Sequence, residues 1–335
     1  MSLRPAIATV SLGRASAGHT LFRKLEEAAK QSFEGVELFY ECLEHHAEVL
    51  PGGLNEDNLL LAAEQTRQEC DRLNLEIVSL QPFLFSEGLV NARTHQKIIE
   101  KLKFWFQLAK ILRTDLIQMP TNFLQEGTTG DIDRIVSDLT EFARLGLEQS
   151  PVIRFAYEGL AWGTHIDTWE GTWDMVKRVD LPNFGLCLDT FHIAGRVWAD
   201  PTSPTGRNIN SDADLVASLH KMKEDLDIGK VFYIQVGDAQ KLISPLKPGN
   251  DMYVADQPER MTWSRNARLF PFETDRGAYL PVTELLDVLI NGKGYRGWVS
   301  FEAFSSELFA RDSSIPKQWM QRAKGSWDML MKVYG

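Results

Sequence analysis

Four polar side chains sit at matching places in four apolar runs of this sequence. Glu158 closes "IRFAYE", Asp189 closes "FGLCLD", Gln235 lies in "VFYIQV" and Glu302 lies in "WVSFEA". Side chains alternate between the two faces of a strand. Phe155 and Tyr157, Leu186 and Leu188, Ile234 and Val236, and Val299 and Phe301 therefore take one face. The polar four take the other. Three carboxylates and an amide oxygen converging in a confined space repel one another, and burying them unpaired is costly. A divalent cation between them resolves the conflict. Oxygen ligands favour Mg²⁺ or Mn²⁺ over zinc, which prefers Cys and His; Co²⁺ is a further candidate. His192 follows Asp189 by three residues. On a loop beside such a metal it is the candidate general base, because an imidazole exchanges protons near neutrality. A metal-polarised carbonyl acidifies the neighbouring C–H that this base would attack.

Such convergence needs strands that end at one mouth. Eight β-rich runs begin at Ala6, Gly35, Glu76, Asp115, Ile153, Phe184, Val231 and Trp298. Between them, residues 21–32, 55–73, 96–112, 132–147, 169–179, 213–226, 282–291 and 317–333 carry helical apolar spacing. Strict alternation implies parallel strands with right-handed crossovers. Eight units predict an α/β fold of the (β/α)8 TIM-barrel kind, with the active site at the C-terminal strand ends. An open doubly wound sheet is disfavoured, since "SLGRASAGH" after the first strand lacks the G-x-G-x-x-G spacing. The expectation is a single domain over residues 1–335, with a long irregular region at about 238–280 that would serve as a binding loop.

With 44% hydrophobic and 24% charged residues, the 335-residue chain has an ordinary globular balance. A net charge of −10 argues against a nucleic-acid partner. It leaves room for a small anionic substrate held by a few arginines. The sequence has no apolar stretch long enough to cross a membrane and no secretory leader pattern at its N-terminus. Three scattered cysteines suit a reducing cytoplasm.

The order Glu, Asp-x-x-His, Gln, Glu at strands five to eight resembles the xylose-isomerase-like barrel superfamily. Within it, "NFGLCLDTFHIAGRVWADP", "KVFYIQVGDAQKL", "RMTWSRNARLFP" and "GWVSFEAF" resemble the fungal 3-dehydroshikimate dehydratases of quinate catabolism, and the likeness runs from strand one to strand eight. The resemblance implies a metal-dependent lyase that converts 3-dehydroshikimate to protocatechuate, in which a base abstracts a proton to give a metal-stabilised enediolate. It implies Glu158, Asp189, Gln235 and Glu302 as metal ligands and His192 as base. It also implies Ser264 and Arg268 as substrate-binding residues, with Arg268 on the carboxylate. Glu37 and Gln81, near the ends of strands two and three, are further candidates to reach the substrate. A sugar or polyol isomerase or epimerase would use the same metal and base, and a non-catalytic ligand-binding barrel is a third reading. The "WSRNARLF" segment favours the dehydratase, because a sugar needs no carboxylate clamp. The seven scattered histidines do not resemble the zinc cluster of endonuclease IV.

Overall fold

A computed structural model describes residues 2–335. Eight strands close a parallel barrel: β1 (Arg4–Ala8), β2 (Gly35–Phe39), β3 (Glu76–Gln81), β4 (Leu116–Pro120), β5 (Arg154–Glu158), β6 (Phe184–Asp189), β7 (Val231–Val236) and β8 (Trp298–Phe301). Around the barrel each strand neighbours the next in sequence, and β8 returns to β1. Register sets the height of the polar groups: Asp189 and Ser300 both lie opposite Gln235, and Pro120 lies opposite Glu158.

The expected parity holds. Ala6, Val78, Leu116, Ala156, Cys187 and Tyr233 form a small buried cluster that plugs the barrel below the polar ring. Phe155, Tyr157, Leu186, Leu188, Ile234, Val299 and Phe301 instead belong to the large core between strands and helices. That core stiffens the barrel wall by burying apolar surface at roughly 25 cal/mol per Å². Packing is tight where the helix Ile132–Leu147 meets β5. A Cβ on Gly146 would lie 2.5 Å from the Ile153 carbonyl oxygen and 2.7 Å from the Phe155 ring.

Several helices begin where a side chain caps them. Asn55, Asn91, Asp131 and Thr168 each accept a backbone N–H of the first helical turn, contacts typically worth ~1 kcal/mol. Several boundaries differ from expectation. β1 ends at Ala8, and Thr9–Leu12 coils as a 3₁₀ turn. The stretch expected as one helix over 282–291 is α-helical at Val282–Leu286 and π-helical at Asp287–Gly292. Short additional helices, Tyr40–Glu48, Thr190–Val197 and Glu259–Ala267, follow β2, β6 and β7. His192 thus lies in the first turn of a helix and not on a loop. Residues 238–280 are more regular than anticipated. The helix Glu259–Ala267 lies among them, and Asp238–Ala239 pairs antiparallel with Arg268–Leu269. That pairing brings Arg268 back over the mouth. Among the described residues, no helix is long and apolar enough to cross a membrane. All three cysteines are free and buried.

Candidate active site

At the mouth of β2, Glu37 is fully buried and surrounded by donors. It accepts from Tyr233 Oη at 2.7 Å, Gln81 Nε2 at 3.0 Å, Gln235 Nε2 at 3.0 Å and Ser79 Oγ at 3.4 Å. Burial still raises its proton affinity, and the bonds from Tyr233, Gln235 and Ser79 oppose that rise. Gln81 and Gln235 reach onward to Glu302 Oε1, at 3.1 and 3.2 Å. The two amides therefore stitch the β2, β3, β7 and β8 ends into one network. Gln235 turns its nitrogen to Glu37 and Glu302 and its oxygen to Cys187 Sγ, at 3.3 Å.

Arg268 is the centre of the other half. Its Nη1 donates to Asp189 Oδ2 at 2.6 Å and to Glu302 Oε2 at 3.3 Å, and its Nε donates to Ser264 Oγ at 2.9 Å. The guanidinium lies 4.1 Å from the Phe191 ring centroid and 5.2 Å from that of Phe304. Only 1% of the residue is exposed. Ser264 holds the arginine in this pose. Asp189 spends its other oxygen on the Phe191 N–H at 2.7 Å, capping the helix Thr190–Val197.

His192 stands between two donors. The Ala161 N–H points at Nδ1 at 3.0 Å, and Arg268 Nη2 lies 2.8 Å from Nε2. A neutral imidazole carries one N–H and cannot accept at both nitrogens. Each neutral tautomer therefore satisfies one of these donors and opposes the other. Burial, and then the Arg268 cation, holds the ring's pKa well below its ordinary value, so it stays uncharged at neutral pH.

The carboxylates show the opposite strain. Burial first, then the charges of Glu302 and Asp189, pushes Glu158 well above the ordinary carboxylic range. Burial raises Asp189 as well, with Arg268 opposing. Glu302 is pushed up to about 8, chiefly by burial. Glu158 Oε2 accepts from Gln118 Nε2 at 2.5 Å, while its Oε1 is buried without a hydrogen-bond partner. That oxygen lies 3.9 Å from His192 Nε2, and Asp189 Oδ2 lies 3.6 Å from the same nitrogen. An orphaned carboxylate oxygen among mutually repelling carboxylates fits a cation. Glu158, Asp189 and His192 offer ligand atoms within 4.8 Å of one another.

The four expected ligands are thus gathered unevenly. Glu158 and Asp189 form the tight group, Glu302 joins through Arg268, and the Gln235 oxygen faces Cys187. Glu37 and Gln81 lie in the network below. Reasoning from sequence missed Gln118, although it shares a face with Leu116 in the middle of β4 and obeys the parity that singled out its neighbours. Above these groups opens a cavity of about 580 Å³. Phe39, Phe123, Leu160, Trp162, Phe304 and Phe309 supply its apolar walls, while Gln81, Glu158, His192, Ser264, Arg268 and Glu302 are among its polar groups. The arrangement sets an uncharged imidazole beside clustered carboxylates in a cavity large enough for a small molecule.

Residues 25–328 match the family model described as the xylose isomerase-like TIM barrel. A 3-dehydroshikimate dehydratase from Neurospora crassa is 45% identical over 339 aligned positions, covering 99% of this chain and 94% of the relative. A 3-dehydroshikimate dehydratase from Pseudomonas aeruginosa is 31% identical, covering 90% of this chain and 38% of the longer bacterial protein. Among solved structures, the IOLI protein with a bound zinc atom superimposes with a TM-score of 0.71, covering 100% of this chain and 99% of that one at 17% identity.

Proposed function

Because the chain belongs to the xylose isomerase-like TIM barrel family, we propose that it dehydrates 3-dehydroshikimate to protocatechuate and water with the help of one divalent metal ion. The observation that carries this reading is the near full-length match to a fungal dehydratase of that activity. The cavity supplies the chemistry the reaction asks for. Glu158 and Asp189 would hold the ion, with Glu302 and Gln235 completing the set once Gln235 presents its oxygen. A bound Mg²⁺, Mn²⁺ or Co²⁺ would act as a Lewis acid on the substrate's ketone and so acidify the neighbouring C–H.

His192 takes the C4 proton at Nε2. That role needs the tautomer protonated at Nδ1, in which Nε2 carries the lone pair that faces Arg268 Nη2 at 2.8 Å and that the substrate C–H must reach; the low pKa keeps the ring uncharged at neutral pH. The C5 hydroxyl leaves with one proton as water, and a further ring proton moves from C6 to the C3 oxygen, which gives the aromatic acid. Arg268 favours the charged forms of Asp189 and Glu302 against the burial that raises both, and bridges them to His192. Glu37, Gln81 and Gln118 fix the carboxylates from behind, so the reacting groups need little rearrangement.

The test is direct. Purified protein with 3-dehydroshikimate and Mg²⁺ or Mn²⁺ should form protocatechuate, chelation should abolish turnover, and added metal should restore it. His192→Ala should fold, keep its metal and lose ~10²–10⁴ in kcat. No protocatechuate from the metal-loaded parent, or interconversion of sugars in its place, would overturn the reading.

A further inference from the structure

The helix Glu259–Ala267 carries two arginines to the cavity, one within it and one just past its end, and their engagements differ sharply. A guanidinium has five N–H donors and grips a carboxylate through two of them. Arg268 directs one to Ser264, one each to Asp189 and Glu302, and one at His192, which leaves a single N–H. It also lies close to two aromatic rings and is almost wholly buried. In this arrangement a two-pronged grip on a ligand would require Arg268 to release Asp189, Glu302 or His192.

Arg265 is placed otherwise. It lines the cavity at the mouth, and its one side-chain bond goes from Nη1 to the neutral Gln257 Oε1 at 3.3 Å. Among the described residues no carboxylate lies within ion-pairing distance of it. The charge it feels most is that of Arg14, a second cavity-lining cation, which is itself paired with Glu41 and rests on the Phe309 ring. With Arg14 offset by Glu41, which also lines the cavity, Arg265 is the cation left without a counter-charge at the mouth, while Glu158 and Glu302 line the depth.

We propose that Arg265 receives the carboxylate of the substrate at the cavity mouth, orienting the ring so that its opposite, oxygen-bearing edge enters toward Glu158 and His192. This rests on the dehydratase reading for the identity of the acid. Arg265 is a positioning residue: it grips the group that does not react, in a bidentate fork that lysine cannot reproduce. Arg268 sets the internal charge and Arg265 selects for an acid.

Inhibition by product-like ligands separates these roles. Protocatechuate and catechol share the diol and differ in the carboxylate. The metal-loaded parent should bind protocatechuate more tightly than catechol. Arg265→Gln should weaken protocatechuate by ~10–100-fold, the range expected for a charge-assisted pair, and leave catechol unmoved. KM for 3-dehydroshikimate should rise by a similar factor, with the loss falling on KM and not on kcat. Arg265→Lys should recover part of the preference. A preference for protocatechuate that survives intact in Arg265→Gln would overturn the assignment. So would a variant that weakens both ligands equally. A parent inert toward 3-dehydroshikimate that still prefers protocatechuate through Arg265 would sink the dehydratase reading and uphold the carboxylate site.

Discussion

Replacing Arg268 with Met removes a buried cation and leaves an unbranched side chain to fill the gap between Phe191 and Phe304. Asp189 and Glu302 lose their ion-pair partner, held at 2.6 and 3.3 Å. Breaking a buried pair from one side typically costs ~3–5 kcal/mol. At about 2.1 cal/mol/K of unfolding entropy per residue, the metal-free protein should melt ~4–7 °C lower. The loss should depend on pH. Glu302 already has a folded pKa of about 8 in the presence of Arg268, and removing the cation raises it and that of Asp189 further. A carboxyl with a raised folded pKa contributes stability that is present below its unfolded value and lost as pH rises through the folded one. The variant should therefore melt close to the parent near pH 4.5 and fall furthest behind above pH 8. Calorimetry of chelated parent, Arg268→Met, Glu302→Gln and the double variant across that window reads both effects. In the double variant part of the penalty should vanish, because one stranded anion has been removed. A melting difference that ignores pH, or a double variant that is simply additive, would refute this reading of the arginine.

Glu158→Gln should bind Mn²⁺ at least ~10-fold more weakly, within the range for a damaged metal environment; titration calorimetry checks it, and unchanged affinity would remove Glu158 from the ligand set. Asp238 is raised to about 6 by burial although three backbone N–H groups, from Ala239, Tyr279 and Leu280, converge on its Oδ1. Its raised pKa gives stability that is complete below pH ~4 and lost as pH rises through 6, about 3 kcal/mol in all. Asp238→Asn keeps Oδ1 and should lose that slope in denaturant titrations between pH 4 and 7. Gly146→Ala presses a methyl group into the Ile153 carbonyl and should cost ~1–3 kcal/mol by urea denaturation; a neutral result would mean that the helix–strand contact yields easily.

The barrel was legible because its signal is redundant. Each strand run repeats the same alternation, and a parallel sheet covered by helices admits few other closures. The polar ring was legible for the same reason, since Glu158, Asp189, Gln235 and Glu302 keep one parity. Gln118 obeys that rule too and was overlooked because "LIQMP" holds one polar residue in an otherwise apolar run. The short helices Thr190–Val197 and Glu259–Ala267 were harder to read. Two turns offer too few positions for apolar periodicity to emerge, and the second packs polar residues against a cavity. Partner choice lay beyond the sequence altogether. Nothing in "WSRNARLF" tells that Arg268 folds onto Asp189 and Glu302 while Arg265 stays free, because that depends on the antiparallel pairing of Arg268–Leu269 with Asp238–Ala239.

Asp189 closes a strand, caps the next helix through the Phe191 N–H, and faces His192 from that helix's first turn. The aspartate and the histidine are thus spaced by helical geometry, and no loop length can vary between them. In evolution this makes "DTFH" a single heritable unit. A lineage can lengthen, shorten or exchange the surrounding loops to admit other substrates, and the carboxylate and imidazole travel together at fixed separation. New specificities on this scaffold should accordingly arise at residues such as Arg265, on the outer wall, while the aspartate–histidine pair passes unchanged from one chemistry to the next.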